Sequence, residues 1–520
     1  MKREEPEQPG VVDLADARAR LRSRPARAHG LSREELSAEI EEMRGLLDQG
    51  LSTEVRSRMA RLMQAVRHDP SLLAEARCVL SAALEMQGHH GEALEAVLMY
   101  EAPEAQKGLS ADVAVRLRVQ LALAYNYAGD HPKAIAMLKA ALQRETGEGG
   151  SDQNIGAIYA ALSRVYRRID EYQIARDYSN KALEHFRNTG DWRGLADSYM
   201  CLGLADTHEG DYESALENYD QGAKLIGDRQ APHILGKIYA NMAGACWFLK
   251  RPQEGVRHLE RAIAYYERTE HRDNAVLGYN NLAINLMLVG DWGRAQRALD
   301  RALQLTTELD ENWSKLPVIL DSIGEMNLLR GNLEEAEGHL QRAAKLALEH
   351  TNKWYAGQAL RTLGRCHLAQ GDAAGALHDA EQALSFAEHI GDRLAIFESN
   401  LLLAEARLRL GHTGECRAHL EKVSGEITES VSDLGFAGEV QTLHGLLAMH
   451  EGDHALAAQH FGRSISIFEM LGDRYRTARA HYELGRAYSA AQDERAAEHL
   501  SRATHTFREL GAKLYLERAE

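Results

Sequence analysis

A chain of 520 residues with 44% apolar content could bury several ordinary cores, and its length alone predicts three or four domains. Its 61 Lys and Arg stand against 77 Asp and Glu, so a net charge of -16 spread along the whole chain repels phosphate backbones and disfavours general nucleic-acid binding. No apolar run approaches the roughly 18 to 20 residues that cross a bilayer. The first residues are charges and prolines instead of the apolar core of a signal peptide, so a cytoplasmic protein without membrane contact is expected.

Residues 1–30 carry Pro6, Pro9 and Pro25, no aromatic residue, and a basic run of Arg18, Arg20, Arg22, Arg24 and Arg27, the composition of a disordered charged arm. Residues 31–70 hold two helix-period stretches, EELSAEIEEMRGLLDQG and TEVRSRMARLMQAV, expected to be a helical N-terminal cap or a degenerate repeat.

From about Ser71 a ladder of small residues returns every 40 or 41 residues. Its turn positions are Gly88, Gly129, Asp170, Gly210, Lys250, Gly290, Gly331, Gly371, Gly411, Gly452 and Gln492. Five residues after a turn stand Ala134, Ala215, Ala295 or Ala457, and seven before it Ala122, Gly203, Gly324 or Gly445; the other turns have small residues at the same places. A period of this length means stacked supersecondary units, each touching mainly its neighbours, which replaces the multi-domain expectation with one continuous array over 71–514. Residues 515–520 form a short C-terminal end.

Each unit has two amphipathic segments, as in LADSYMCLGLADTHEG followed by DYESALENYDQGAKLIG. Gly permits the positive φ that ends a helix, and the following Asp caps the next one, as in Gly129-Asp130 and Gly290-Asp291. A second such joint recurs between units at Gly190-Asp191, Gly227-Asp228, Gly391-Asp392 and Gly472-Asp473. The small residues let two helices approach closely, while Leu202, Leu282, Leu363 and Leu484 beside the ladder fill the remaining space. Five scattered cysteines, Cys78, Cys201, Cys246, Cys366 and Cys416, have neither disulfide nor zinc spacing and read as packing residues.

Units such as IYAALSRVYRRIDEYQIARDYSNKAL, YMCLGLADTHEGDYESALENYDQGAKL and YELGRAYSAAQDERAAEHLSRA resemble the tetratricopeptide repeat, with Leu-Gly or Leu-Ala on the first helix and spaced small residues on the second. The units exceed the usual 34 residues and lack the closing proline. This longer form resembles the arrays of bacterial signal-responsive transcription activators, peptide-sensing regulators and animal spindle-orientation adaptors. The resemblance implies an all-α, right-handed superhelical solenoid of about eleven to twelve helical hairpins whose first helices line a concave groove.

The family's groove-facing positions map onto Arg116, Asn126 and Tyr127; Arg164, Arg167 and Arg168; Lys237, Trp247 and Phe248; Asn280; Asp321 and Glu325; Arg361 and Arg365; and Glu398 and Glu405. Trp247 and Phe248 offer aromatic contact area, and Asn280 could pair with a peptide amide in both directions. The acids and arginines from Asp321 to Glu405 alternate on adjacent units and equally fit pairs that satisfy one another, worth about 0 to 1 kcal/mol each when exposed. Arg164, Arg167 and Arg168 lack acids at the matching positions of adjacent units and fit an acidic partner.

No Gly-rich phosphate loop, His-Glu-x-x-His or nucleophile elbow occurs, so no catalytic residue, metal or cofactor is expected. Two functions fit: a non-enzymatic adaptor that binds a protein or peptide and regulates an effector in bacterial signalling, or the ligand-sensing segment of a multidomain transcription regulator with a small molecule in its groove. The ending FRELGAKLYLERAE resembles the place where bacterial arrays stop, as in a stand-alone adaptor or a piece of a larger regulator.

Overall fold

The computed structural model describes residues 32–519 apart from 271, 308, 310–312 and 428–432; the expected arm at 1–30 lies outside the described residues. Helices follow one another in pairs: α1 (Arg33–Asp48) with α2 (Ser52–Ala65), α3 (Pro70–Met86) with α4 (His90–Leu98), α5 (Ala111–Tyr127) with α6 (His131–Glu148), and α7 (Asp152–Arg168) with α8 (Tyr172–Thr189). Next come α9 (Trp192–Glu209) with α10 (Tyr212–Ile226), α11 (Pro232–Phe248) with α12 (Pro252–Tyr266), α13 (Arg272–Val289) with α14 (Trp292–Thr306), and α15 (Leu316–Arg330) with α16 (Leu333–Glu349). The last pairs are α17 (Lys353–Gln370) with α18 (Ala373–Ile390), α19 (Arg393–Arg409) with α20 (Thr413–Glu426), α21 (Leu434–His450) with α22 (His454–Leu471), and α23 (Arg474–Ala490) with α24 (Ala496–Leu510); a short α25 (Lys513–Ala519) follows. The fold is an all-α solenoid of tetratricopeptide-like hairpins.

The turn inside each hairpin is set by backbone conformation. Every turn position from Gly88 to Gln492 has positive φ, including the non-glycine residues Asp170 (62°), Lys250 (56°) and Gln492 (56°). The turn therefore demands the left-handed region, which is why glycine fills it elsewhere. Asp130, Asp211, Asp291, Asp372 and Asp453 then accept backbone N–H bonds at the start of the second helix, capping it. Asp191, Asp392 and Asp473 cap the next unit in the same way. Asp228 does not, because α11 starts only at Pro232.

The ladder residues sit where the two helices of a hairpin touch. A Cβ on Gly203 would lie 2.5 Å from the Tyr219 ring, one on Gly324 2.5 Å from Leu340, and one on Gly445 2.5 Å from Phe461. These contacts are far inside van der Waals distance, so any side chain there would push the helices apart. Ala134, Ala215, Ala295, Ala376, Cys416 and Ala457 are fully buried, and Leu202, Leu282, Leu363 and Leu484 pack beside the ladder as buried residues.

Contacts group the chain into two compact units, Met1–Asn241 with Ala264–His271, and Met242–Ile263 with Arg272–Glu520. Within the first, core clusters run from hairpin to hairpin, for example from Ala74 and Val97 through Leu121 and Leu138 to Ile158 and Ala175. Its α1–α2 turn also meets distant turns of the same unit: Arg193 Nε donates to Asp48 Oδ2 at 2.7 Å, and Thr53 N–H to Glu270 Oε2 at 2.8 Å. In the second unit one cluster joins Phe397, Leu420, Leu447, Phe461 and Leu484. There α25 reaches back to an earlier turn, with Arg518 Nη2 donating to the Ala369 carbonyl at 3.1 Å, and the Trp292 and Tyr475 rings lie 5.7 Å apart.

In each unit the first helices touch one another from hairpin to hairpin, as α5 does α7 and α15 does α17, whereas second helices make no comparable contact among the described residues. Closer spacing on one side curves the row toward that side, so the first helices form the concave face. Among the described residues no helix is long and apolar enough to cross a membrane.

Candidate functional site

Asn280 on α13 is fully buried, and neither its Nδ2 nor its Oδ1 has a hydrogen-bond partner. A buried amide without a protein partner costs about 1 to 3 kcal/mol per unpaired group when nothing else fills it. By contrast Asn126 of the first unit, also buried, has its Oδ1 2.8 Å from Nδ1 of His131.

One repeat after Asn280, Asp321 on α15 is buried, and its Oδ2 accepts from Gln358 Nε2 at 2.7 Å while Oδ1 has no partner. Burial pushes its carboxyl up to about 6, with Glu325 adding to the shift and the Thr362, Gln358 and Arg365 side chains opposing it. Two consecutive repeats thus bury three hydrogen-bonding atoms without a protein partner at the same repeat position.

The neighbouring charges pair with one another. Arg361 Nε donates to Glu398 Oε2 at 2.9 Å, and Arg365 Nη2 lies 3.5 Å from Glu325 Oε1. Two arginines on α23 that sequence spacing did not single out complete this network: Arg476 Nε stands 2.8 Å from Glu439, and Arg479 Nη2 3.4 Å from Glu405 Oε1. Burial pushes the Glu405 carboxyl up, but Arg479 and Arg409 together hold it below its ordinary value. Trp247 is 37% exposed with Lys250 Nζ 5.8 Å from its ring centre, and Phe248 is half-buried.

In the first unit Lys237 is exposed. Arg164, expected to lack an acid, in fact donates through Nε to Asp197 Oδ2 at 2.9 Å, because Asp197 reaches it from α9 out of register. Arg168 lies 5.2 Å over the Tyr127 ring, and Arg116 Nη2 binds Glu75 at 2.7 Å. Arg167 has a buried Nε with no acceptor.

Four of the cysteines offer little nucleophilicity: burial pushes the thiols of Cys201, Cys366 and Cys416 up to about 11, and that of Cys78 to about 12.

The tetratricopeptide-repeat family model matches residues 113–188, around the arginines of α7, and 274–349, around Asn280 and Asp321. Those two stretches carry tetratricopeptide repeats. It is similar to the Regulatory protein RapG of Bacillus subtilis (strain 168), with 18% identity over 347 residues, 66% of this chain and 86% of that protein. Among solved structures, the apo form of RapI matches with a TM-score of 0.55 and 12% identity, covering 69% of this chain and 98% of RapI. At such identity the likeness is one of fold.

Proposed function

We propose that this tetratricopeptide-repeat protein is a non-enzymatic regulator that binds a peptide, or an extended segment of a partner protein, along the first helices of its second unit. The observation that carries this reading is the Asn280 amide, buried with both polar atoms unfilled. An extended peptide that parts the side chains covering Asn280 would offer it a C=O and an N–H side by side, the complement of an Asn amide, and Asp321 Oδ1 one repeat further would accept another donor. The fold match to RapI and the likeness to a regulatory protein support the same class of role. As part of this reading, residues 31–70 act as the cap of the array and 71–514 as its working length.

The test is panning of a random linear peptide library against the purified chain, followed by affinity measurement of selected peptides on Asn280→Ala and on Glu217→Ala, an exposed residue of the second helix α10. Asn280→Ala is expected to lose tenfold or more in affinity, about 1.4 kcal/mol or more, without a lower melting temperature, because truncation removes two unfilled polar atoms. Glu217→Ala should bind as the parent does. Equal affinity for both variants would move the site away from Asn280, and co-purification of a small molecule with no selected peptide would favour a ligand sensor.

A further inference from the structure

In the second unit Arg361, Arg365, Arg476 and Arg479 each face a carboxylate, as do Arg409 and Arg486, which hold the repeat positions of Arg168 and Arg164. The last two turns of α7 in the first unit differ. Arg164 and Arg168, four residues apart, share one side of the helix, with Arg167 beside them. Only Arg164 has an acid, Asp197, and it remains 36% exposed. No ion pair or hydrogen bond joins Arg167 to another described side chain, and its buried Nε donates to nothing.

Arg168 is exposed and held by an aromatic instead of a carboxylate: its guanidinium lies 5.2 Å over Tyr127, which stacks at 5.4 Å and 10° on His90. The stack fixes the position of the cation without cancelling its charge. Glu85, an acid close enough to sense Arg164, accepts from Gln120 at 2.8 Å and is pushed up by burial to about 7, so at neutral pH it is only partly ionised.

Basic residues in a last helical turn are ordinary partners of the helix dipole. That accounts for two arginines at a helix end but not for the absence of a carboxylate bonded to either guanidinium, although Asp170 and Asp206 lie close enough to act on the same tyrosines as Arg167. We propose that the end of α7, at Arg167 and Arg168, is a second binding surface that takes an acidic peptide segment of a partner protein. It is independent of the Asn280 reading, lying in the other unit and relying on charge instead of an amide. A net charge of -16 opposes a nucleic acid with its dense phosphates, whereas a segment with two or three carboxylates meets the unpaired guanidiniums with less long-range repulsion.

The probe is a fluorescein-labelled peptide with three consecutive glutamates between glycine-serine flanks, followed by anisotropy, with the matching three-lysine peptide and a single-stranded oligonucleotide as comparison probes. The chain is expected to bind the three-glutamate peptide at low ionic strength, with affinity falling as salt rises. Arg167→Gln/Arg168→Gln should weaken that binding at least tenfold, Arg168→Gln alone by a smaller factor, and Arg144→Gln, which carries the same charge change on the second helix α6, by less than twofold. Circular dichroism melting of each variant separates lost binding from lost folding, and the exposed Arg168 keeps the test valid should the double variant fold poorly. No binding of the three-glutamate peptide, binding unchanged in the Arg168 and double variants, or preferential binding of the oligonucleotide would overturn the proposal. So would self-association of the parent chain that the Arg168 variant abolishes, because it would assign the surface to a second copy.

Discussion

His481 Nδ1 lies 2.8 Å from His499 Nδ1, so at neutral pH one ring donates to the other across the α23–α24 hairpin. Only one of the two facing nitrogens can carry a proton. A second proton would break the bond and place two cations with their ring centres 5.1 Å apart.

The acid stability of the second unit should therefore depend on this pair. Burial lowers the His481 pKa from 6.5 to about 4, helped by His499 and Arg502 and opposed by Glu498; His499 is lowered by burial, Arg502 and Arg495, with Glu498 opposing, and Tyr488 packs on its ring. A depressed pKa means that the unfolded chain takes up the proton first. Stability is then intact above about 6.5 and is lost as pH falls through that value toward about 4. His481→Gln should flatten the melting-temperature profile between those limits, removing on the order of 2 to 3 kcal/mol of pH-dependent loss. Parallel profiles for parent and variant would show that the pair does not govern acid unfolding.

Two glycines of one hairpin should respond to alanine in opposite directions. A Cβ on Gly324 meets Leu340 at 2.5 Å, whereas one on Gly338 meets nothing within 4 Å. Gly324→Ala should destabilise by about 1 to 3 kcal/mol through overpacking. Gly338→Ala should stabilise by roughly 0.5 to 1 kcal/mol, the ordinary helix preference for alanine. Thermal or urea melts of the two variants decide the point, and a stabilised Gly324→Ala would mean that the helices can separate without cost.

Asp321 should give a pH dependence of the opposite sign to that of His481. Its pKa is raised from 3.8 to about 6, so its stabilising contribution is full below 3.8 and is lost as pH rises through about 6. Asp321→Asn keeps an acceptor for Gln358 but cannot ionise. Relative to the parent, it should gain on the order of 2 to 3 kcal/mol on going from pH 4 to pH 7.5. A difference that stays constant over this range would place the titration on another group.

The repeat period was legible because it arises from contacts between neighbours in the chain. Each small residue must meet a helix one turn away, so Gly203 against Tyr219 and Gly324 against Leu340 leave the same mark in every unit. The left-handed turn leaves another, and even Asp170, Lys250 and Gln492 obey it without being glycine. The repeat positions of Asn280 and Asp321 followed from the same period.

The sequence by itself determined the helical hairpins, their joints and the residues placed on the first helices. Only the tertiary structure decided that Asn280 is orphaned while Asn126 is satisfied, that Arg164 meets Asp197, and that Arg479 meets Glu405 across 74 residues. It also decided the division into two units. The physical reason is range: a hairpin and its neighbour fix backbone approach at one spacing that every repeat must satisfy. Which charged side chains then face each other depends on rotations accumulated over many repeats and on rotamers, and no single spacing in the sequence records either.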